Sequence, residues 1–264
     1  MTDIRLKRFN MRQIRSDCAV LFCGRRGSGK SFCAKDLLYY HRDVPHIKVV
    51  NGSEHADPVY SQFVPPVCIS SQFYPPAVDK FMQTHAERCI DPDNKPRALI
   101  LLDDMMYDTK QWANSSVTRN LFFNGRHYNM LCVVMLQSVL GIRPELRHQA
   151  DYIFLFHCPS RKERMKIYEE YCQDFFSEFE EFETVMMKAT ECGQRDDPGC
   201  LVIHRSGRSK HREDNVFWYK ARDHGEFFLG SRALWREGIK FVDDGPTDNP
   251  RTKPKRVYRV TLSN

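Results

Sequence analysis

The chain lacks long hydrophobic runs: nowhere in its 264 residues is there a stretch approaching the roughly 18 uninterrupted apolar residues of a membrane span. A transmembrane helix is therefore excluded as an organising element, and a soluble protein is expected. No apolar segment follows the basic start Met1-Thr2-Asp3-Ile4-Arg5, so no secretory signal is expected either. Cysteines number ten, yet there is no CxxC pair and no dense framework of the secreted kind. Several, such as Cys23 and Cys132, fall inside apolar strands, which points to free thiols in a reducing compartment acting as small hydrophobes. A loose metal grouping, Cys192, Cys200, His204 and His211, has spacings that match no common zinc pattern. Internal repeats and low-complexity tracts are also missing.

What remains is an ordinary globular balance, 41% apolar and 28% charged, long enough for one α/β domain with an appendage. The net charge of +6 favours a polyanionic partner only weakly. Apolar runs alternate with helical patterns. Strands are expected at Cys18–Cys23, His46–Val50, Val67–Ile69, Ala98–Leu102, Met130–Leu136 and Tyr152–Phe156. Helices are expected over Lys30–His41, Pro75–Cys89, Thr109–Phe123 and Ser160–Tyr171, followed by an acidic, phenylalanine-rich helix over Asp174–Lys188. Strands apolar on both faces and separated by helices imply a mainly parallel sheet covered on both sides. Cys200–Ile203 and Val216–Tyr219 read as a C-terminal antiparallel hairpin. The expected division is an extension over residues 1–14, a domain over residues 15–222 with the hairpin at about 200–221, and a C-terminal extension over residues 223–264. The last ends in a partly disordered, proline-containing basic tail.

The chemistry begins at Gly24-Arg25-Arg26-Gly27-Ser28-Gly29-Lys30-Ser31, which fits G-x-x-x-x-G-K-[ST] between a strand and a helix. Glycines let the backbone wrap phosphates, and its N–H groups with the helix N-terminus supply positive charge. Lys30 is expected on the β- and γ-phosphates of ATP and the Ser31 hydroxyl on Mg2+. At the end of the most hydrophobic strand stand Asp103 and Asp104. Asp103 is assigned to the water shell of Mg2+ and Asp104 to the attacking water. Gln137, at the tip of the strand Met130–Leu136, suits a γ-phosphate sensor because its amide both donates and accepts. Arg126 is a candidate arginine finger, with Arg119, Arg143 and Arg147 as rivals.

The order Gly24–Ser31, Asp103-Asp104, Asn124-Gly125-Arg126-His127-Tyr128-Asn129-Met130, Gln137, Pro144 and Arg147 resembles the poxvirus-type virion DNA-packaging ATPases of nucleocytoplasmic large DNA viruses. These belong to the FtsK–HerA superfamily of P-loop NTPases, in the additional-strand, RecA-like class. The resemblance covers about residues 15–222. Asp104 departs from the wider superfamily, where Glu is commoner at that position. The resemblance implies a sensor strand between the phosphate-loop strand and the acidic strand. It implies a ring-shaped homo-oligomer in which Arg126 completes a neighbour's ATP site, and an ATP-hydrolysing motor that moves double-stranded viral DNA into a capsid. Location in the host cytoplasm (a viral factory) or the virion follows from it, as do capsid or inner-membrane virion proteins as partners. Arg205, Arg208, Lys210 and Arg212, with the tail basics Arg251, Lys253, Lys255 and Arg256, are the DNA-contact candidates. Two other readings stay open: a helicase or recombination ATPase of the same superfamily, and an ATP-binding switch or scaffold that does not hydrolyse.

Overall fold

A computed structural model describes residues 4–105, 112–138, 140–191, 199–207 and 209–243. Nine strands among them form one sheet. They are β1 (Lys7–Arg8), β2 (Ala19–Cys23), β3 (His46–Asn51), β4 (Ile69–Ser70), β5 (Ala98–Asp103), β6 (Met130–Leu136), β7 (Tyr152–Leu155), β8 (Gly199–His204) and β9 (Val216–Lys220). Their order is β1-β9-β8-β7-β2-β6-β5-β3-β4. From β7 to β4 every neighbouring pair is parallel. β8 runs antiparallel to both β7 and β9.

The central strands are buried on both faces, and their alternation sorts side chains into two cores. Ala19, Leu21 and Cys23 of β2 join Ala98, Ile100 and Leu102 of β5 and Cys132 and Val134 of β6 on one face. Val20, Phe22, Leu99, Leu101, Leu131 and Val133 point to the other. The α-helices lying wholly within the described residues are α1 (Lys30–Tyr40), α2 (Pro75–Arg88), α3 (Ser116–Asn124), α4 (Pro144–Arg147), α5 (Arg161–Ile167), α6 (Phe179–Thr190), α7 (Arg212–Asn215) and α8 (Arg232–Asp243). Val78 and Met82 of α2, Leu121 and Phe122 of α3, and Phe182 and Met186 of α6 close the first core. Cys33, Ala34, Leu37 and Leu38 of α1 close the second. This is the α/β sheet with helices on both faces that the apolar runs predict. β6 does lie between β2 and β5.

Local differences have local causes. Pro66 opens a 3-10 turn over Pro66–Cys68, so the strand expected at Val67–Ile69 shrinks to Ile69–Ser70. The helix expected from Thr109 starts at Ser116, where the Ser115 hydroxyl accepts the Val117 N–H at 3.1 Å; residues 106–111 lie outside the described set. The phenylalanine-rich helix begins at Phe179 rather than Asp174. The hairpin β8–β9 continues the main sheet through β7.

Residues on either side of the central domain are also built in. β1 pairs with β9, and Phe9 packs edge-on against Tyr152, Phe154 and Phe217. The segment after β9 is held by Asp36 of α1, whose carboxylate is 1% exposed. It accepts from the Tyr219 hydroxyl at 2.5 Å, the Arg222 N–H at 2.9 Å and His224 Nε2 at 2.7 Å. A buried donor left without its acceptor costs about 1–3 kcal/mol. Asp36→Ala is therefore expected to lower the unfolding free energy by about 3 kcal/mol, read as an earlier urea midpoint at unchanged slope. A shift below about 0.5 kcal/mol would mean that the cluster does not hold the two segments together.

Candidate active site

β2 ends at Cys23 and the chain turns through residues 24–29 into α1. Gly24 sits so close to Phe156 that an added Cβ would lie 2.7 Å from the Phe156 Cβ and 2.7 Å from Ser28 Oγ. Gly29 caps α1 with φ 91°, a left-handed conformation that a side chain would strain. The loop is thus drawn tight over the strand tip. The first N–H groups of α1, which have no partner within the helix, face the cleft beyond it. Ser28 Oγ is buried and has no hydrogen-bond partner among the described residues.

Lys30, 8% exposed, donates from Nζ to the carbonyls of Gly24 at 2.6 Å and Arg25 at 2.8 Å. Burial pulls its ammonium below the ordinary lysine range, against the opposing pull of Asp103 and Asp104. Asp103 closes β5. Its Oδ2 accepts from the Tyr60 hydroxyl at 2.7 Å and its Oδ1 from the Asp104 N–H at 2.7 Å. Burial raises this carboxyl above its usual value, while Tyr60, the Asp104 N–H and Lys30 pull it back. Asp104 adopts φ 48°, a left-handed turn that re-aims the chain at the strand tip. Gln137 Nε2 donates to its Oδ1 at 2.8 Å. A cleft of about 640 Å³ collects Arg26, Gly27, Gly29, Lys30, Ser31, Asp103, Asp104 and Gln137 along one wall and Asn51, Ser53, Asp57 and Val59 along the other.

Two predicted loop residues point elsewhere. Arg25 Nη2 pairs with Glu163 at 2.9 Å outside this cleft. Arg126 is not in the cleft at all. It stands on the turn Gly125–Tyr128 before β6, whereas Gln137 follows the other end of that strand, about 20 Å away at the rise of a seven-residue strand. The Arg126 side chain is half exposed, and its Nη2 meets Asp151 Oδ1 at 2.9 Å. Asp151 is itself buried and its Oδ2 accepts the Ala19 N–H at 2.8 Å. Among the rivals, Arg147 is 4% exposed and spends its fork on Glu170 (3.1 and 2.8 Å) and the Ile142 carbonyl (2.7 Å), so it is a packing residue. Arg143 donates to Asn114 at 2.7 Å, and Arg119 is exposed on α3.

The other candidates disperse. Arg212 is tied to Glu181 and lies over the Phe176 ring, Lys210 is exposed and Arg205 half-buried. Arg208, Arg251, Lys253, Lys255 and Arg256 lie outside the described residues. Of the cysteine–histidine grouping, Cys192 is also outside them. Cys200 is buried beneath β9, with Sγ 3.6 Å from the Tyr219 carbonyl, and His204 stacks on Tyr152.

Residue patterns missed this second wall of the site. Asn51, 1% exposed at the tip of β3, donates to Glu54 at 2.7 Å and accepts from the N–H and hydroxyl of Ser53. Glu54 accepts the N–H groups of Tyr60 and Ser61. This folds residues 51–61 into a buttress that delivers the Tyr60 hydroxyl to Asp103. A polar Asn ending an apolar strand was the only available signal, and Tyr60 offered none.

The phosphate loop, the acidic strand and the interposed sensor strand together define a P-loop NTPase of the additional-strand class. No family model matches the chain. Over 238 residues it is 30% identical to an uncharacterized protein of Acanthamoeba polyphaga mimivirus, a match spanning 87% of this chain and 81% of the other. An uncharacterized protein of Invertebrate iridescent virus 3 is 30% identical over 204 residues, 76% of this chain and 75% of its own. The chain belongs to one family with these proteins of nucleocytoplasmic large DNA viruses. Its fold is shared by the genome packaging NTPase of Sulfolobus turreted icosahedral virus 2 in complex with AMP. That match has a TM-score of 0.54 at 15% identity and covers 80% of this chain and 100% of that one. The same NTPase in complex with ATP-gammaS gives 0.52 at 18% identity, over 78% and 98%.

Because the Tyr60 hydroxyl favours ionised Asp103, its removal raises that carboxyl further. Tyr60→Phe is expected to move the acid limb of nucleotide binding to higher pH by about 0.5–1 unit, followed with a fluorescent ATP analogue. An unchanged or lowered limb would show that Tyr60 does not tune the Asp103 carboxylate.

Proposed function

We propose that the chain is an ATP-hydrolysing motor that translocates double-stranded viral DNA into the capsid during virion assembly, acting as a ring of identical subunits in the viral factory or virion. The observation that carries this reading is a division of the site. Lys30, Ser31, Asp103, Asp104 and Gln137 converge on one cleft, while Arg126 is presented at the far end of the same strand. An arginine about 20 Å from its own phosphate loop is out of reach of its own nucleotide, so any phosphate it serves would be held by another copy. The AMP and ATP-gammaS complexes of the archaeal viral packaging NTPase support a nucleotide in the corresponding cleft.

In this mechanism the loop N–H groups and Lys30 take the triphosphate. Lys30 exchanges the carbonyls of Gly24 and Arg25 for phosphate oxygens, and stronger charge-assisted bonds compensate for the loss. The Ser31 hydroxyl and the Asp103 carboxylate form a hard-oxygen donor set that fits Mg2+, and Asp103 keeps a free lone pair on each oxygen beside the bonds from Tyr60 and Asp104. Mg2+ would supply neutralisation of the charge developing between the β- and γ-phosphates. Asp104, oriented by the Gln137 amide, takes the proton of the attacking water on its free oxygen. Gln137 retains its own carbonyl oxygen to accept from that water. Arg126 of an adjacent subunit would leave Asp151 and place its fork on the γ-phosphate oxygens, where such a finger is worth about 10³–10⁵ in rate.

Lys30→Ala should abolish nucleotide binding and turnover. Arg126→Ala should cut DNA-stimulated turnover about a thousandfold or more while sparing binding. Mixing Arg126→Ala with Asp104→Asn subunits should restore part of the activity, because some interfaces then pair an intact finger with an intact base. Absence of rescue would remove the shared site. Absence of DNA-stimulated hydrolysis in every oligomeric state would remove the motor.

A further inference from the structure

α1 runs from the phosphate loop back to the opposite edge of the sheet, and its last residues open a second cleft there. This cleft, about 540 Å³, is lined by Arg12, Arg15, Arg42, Arg97, Tyr39 and His41, among others. Its distance from the phosphate loop is set by the eleven residues of α1, about 16 Å.

The four arginines are not equivalent. Arg15 is paired with Asp17 at 2.9 Å and Arg97 with Asp43 at 2.7 Å. Neither Arg12 nor Arg42 makes an ion pair with a carboxylate among the described residues, although Asp43, paired with Arg97, also feels the Arg42 charge. Both are instead held over aromatic rings: the Arg42 guanidinium lies 4.5 Å from the Tyr39 centroid and that of Arg12 lies 5.6 Å from the Tyr40 centroid. Arg42 Nη1 also donates to the Tyr39 carbonyl at 3.0 Å, and Tyr39 is stacked on His224 at 3.7 Å. A guanidinium docked on a ring loses less freedom when it binds an anion, because its plane is already set. The cleft also holds an unmet bond: His41 is 7% exposed and its Nε2 has no partner. Burial, aided by Arg97, pushes this imidazole down to about 4, so it adds no charge of its own to the cleft at neutral pH.

We propose that this cleft grips the phosphodiester backbone of duplex DNA, with Arg12 and Arg42 as the two direct phosphate contacts. Arg15 and Arg97, already neutralised, shape the rim. The inference rests on the reading of the chain as a DNA motor and adds where the polyanion is held. Base edges are not read, since guanidinium groups clamped on rings at a sheet edge offer charge and geometry alone. The position gives the contact its mechanical meaning: one helix carries the nucleotide phosphates at its N-terminus and the DNA phosphates at its C-terminus.

The test is fluorescence anisotropy of the full-length chain with a labelled 30-base-pair duplex (about three helical turns) titrated from about 50 to 200 mM KCl. Arg12→Ala/Arg42→Ala should weaken binding about tenfold at 100 mM and reduce the salt slope by about 2. The charge-keeping pair Arg12→Lys/Arg42→Lys should retain most of that slope, and all variants should bind nucleotide alone as the wild type does. Lys80→Ala/Lys188→Ala removes the same charge from exposed helix positions and should leave the slope intact. Equal losses in the two alanine pairs, or no loss in either, would overturn the cleft while leaving the motor standing. A wild-type chain that binds nucleotide but no duplex at any salt would overturn both.

Discussion

Everything chemical in this molecule depends on the register of three parallel strands. β2 and β6 pair with Cys23 opposite Leu136, and β5 and β6 pair with Leu102 opposite Val134. The residues that follow, Gly24, Gln137 and Asp103–Asp104, therefore emerge side by side at one edge of the sheet. A slip of one residue on any of the three would exchange side chains between the two cores and carry a functional side chain to the wrong side of its strand. The two cores prevent this slip. Each strand is apolar on both faces, and each face is matched to its own set of helices. The stability of the sheet and the geometry of the site are one constraint.

Within that frame the charges restrain one another. Lys30 is pulled towards neutrality by burial and held charged by two aspartates. Asp103 is pulled the same way and held charged by Tyr60, a backbone N–H and Lys30. A triphosphate with a divalent cation adds charges of both signs to this balance, which suits a site whose own groups are only partly compensated. The left-handed Asp104 and its bond to Gln137 tie the acidic strand to the sensor strand at this point. A change at this point thus meets two strand tips at once.

Much of this could be read from residue types alone, because phosphate loops and strand-tip carboxylates are local: strand, turn and helix follow each other in the chain. The order of the central strands followed from the family resemblance, and the sheet has it. What escaped is what depends on distant contacts. Tyr60 reaches Asp103 across 43 positions, and Asp36 gathers Tyr219, Arg222 and His224 across more than 180. No periodicity announces such meetings. Arg147 shows the same limit from the other side: as a residue type it is a fair finger, but Glu170 and the Ile142 carbonyl consume its fork. The hairpin β8–β9 was visible as two strands, but its continuity with β7 is a tertiary fact.

The two edges of the sheet are joined more directly than their separation suggests. Asp151 holds Arg126 with one oxygen and the first N–H of β2 with the other. β2 is five residues long, buried throughout, and ends at the phosphate loop. Arg126 and the loop that would hold the nucleotide are therefore linked through one carboxylate and one short strand. Such a strand, packed on both faces and paired on both edges, shifts as a unit rather than bending. In a ring, drawing Arg126 away from Asp151 towards a foreign phosphate would uncover a buried carboxylate at the base of β2, and that costs free energy unless the strand adjusts. Under the proposed ring, engagement at one interface would then be felt at the next nucleotide. It requires no lever longer than β2 itself.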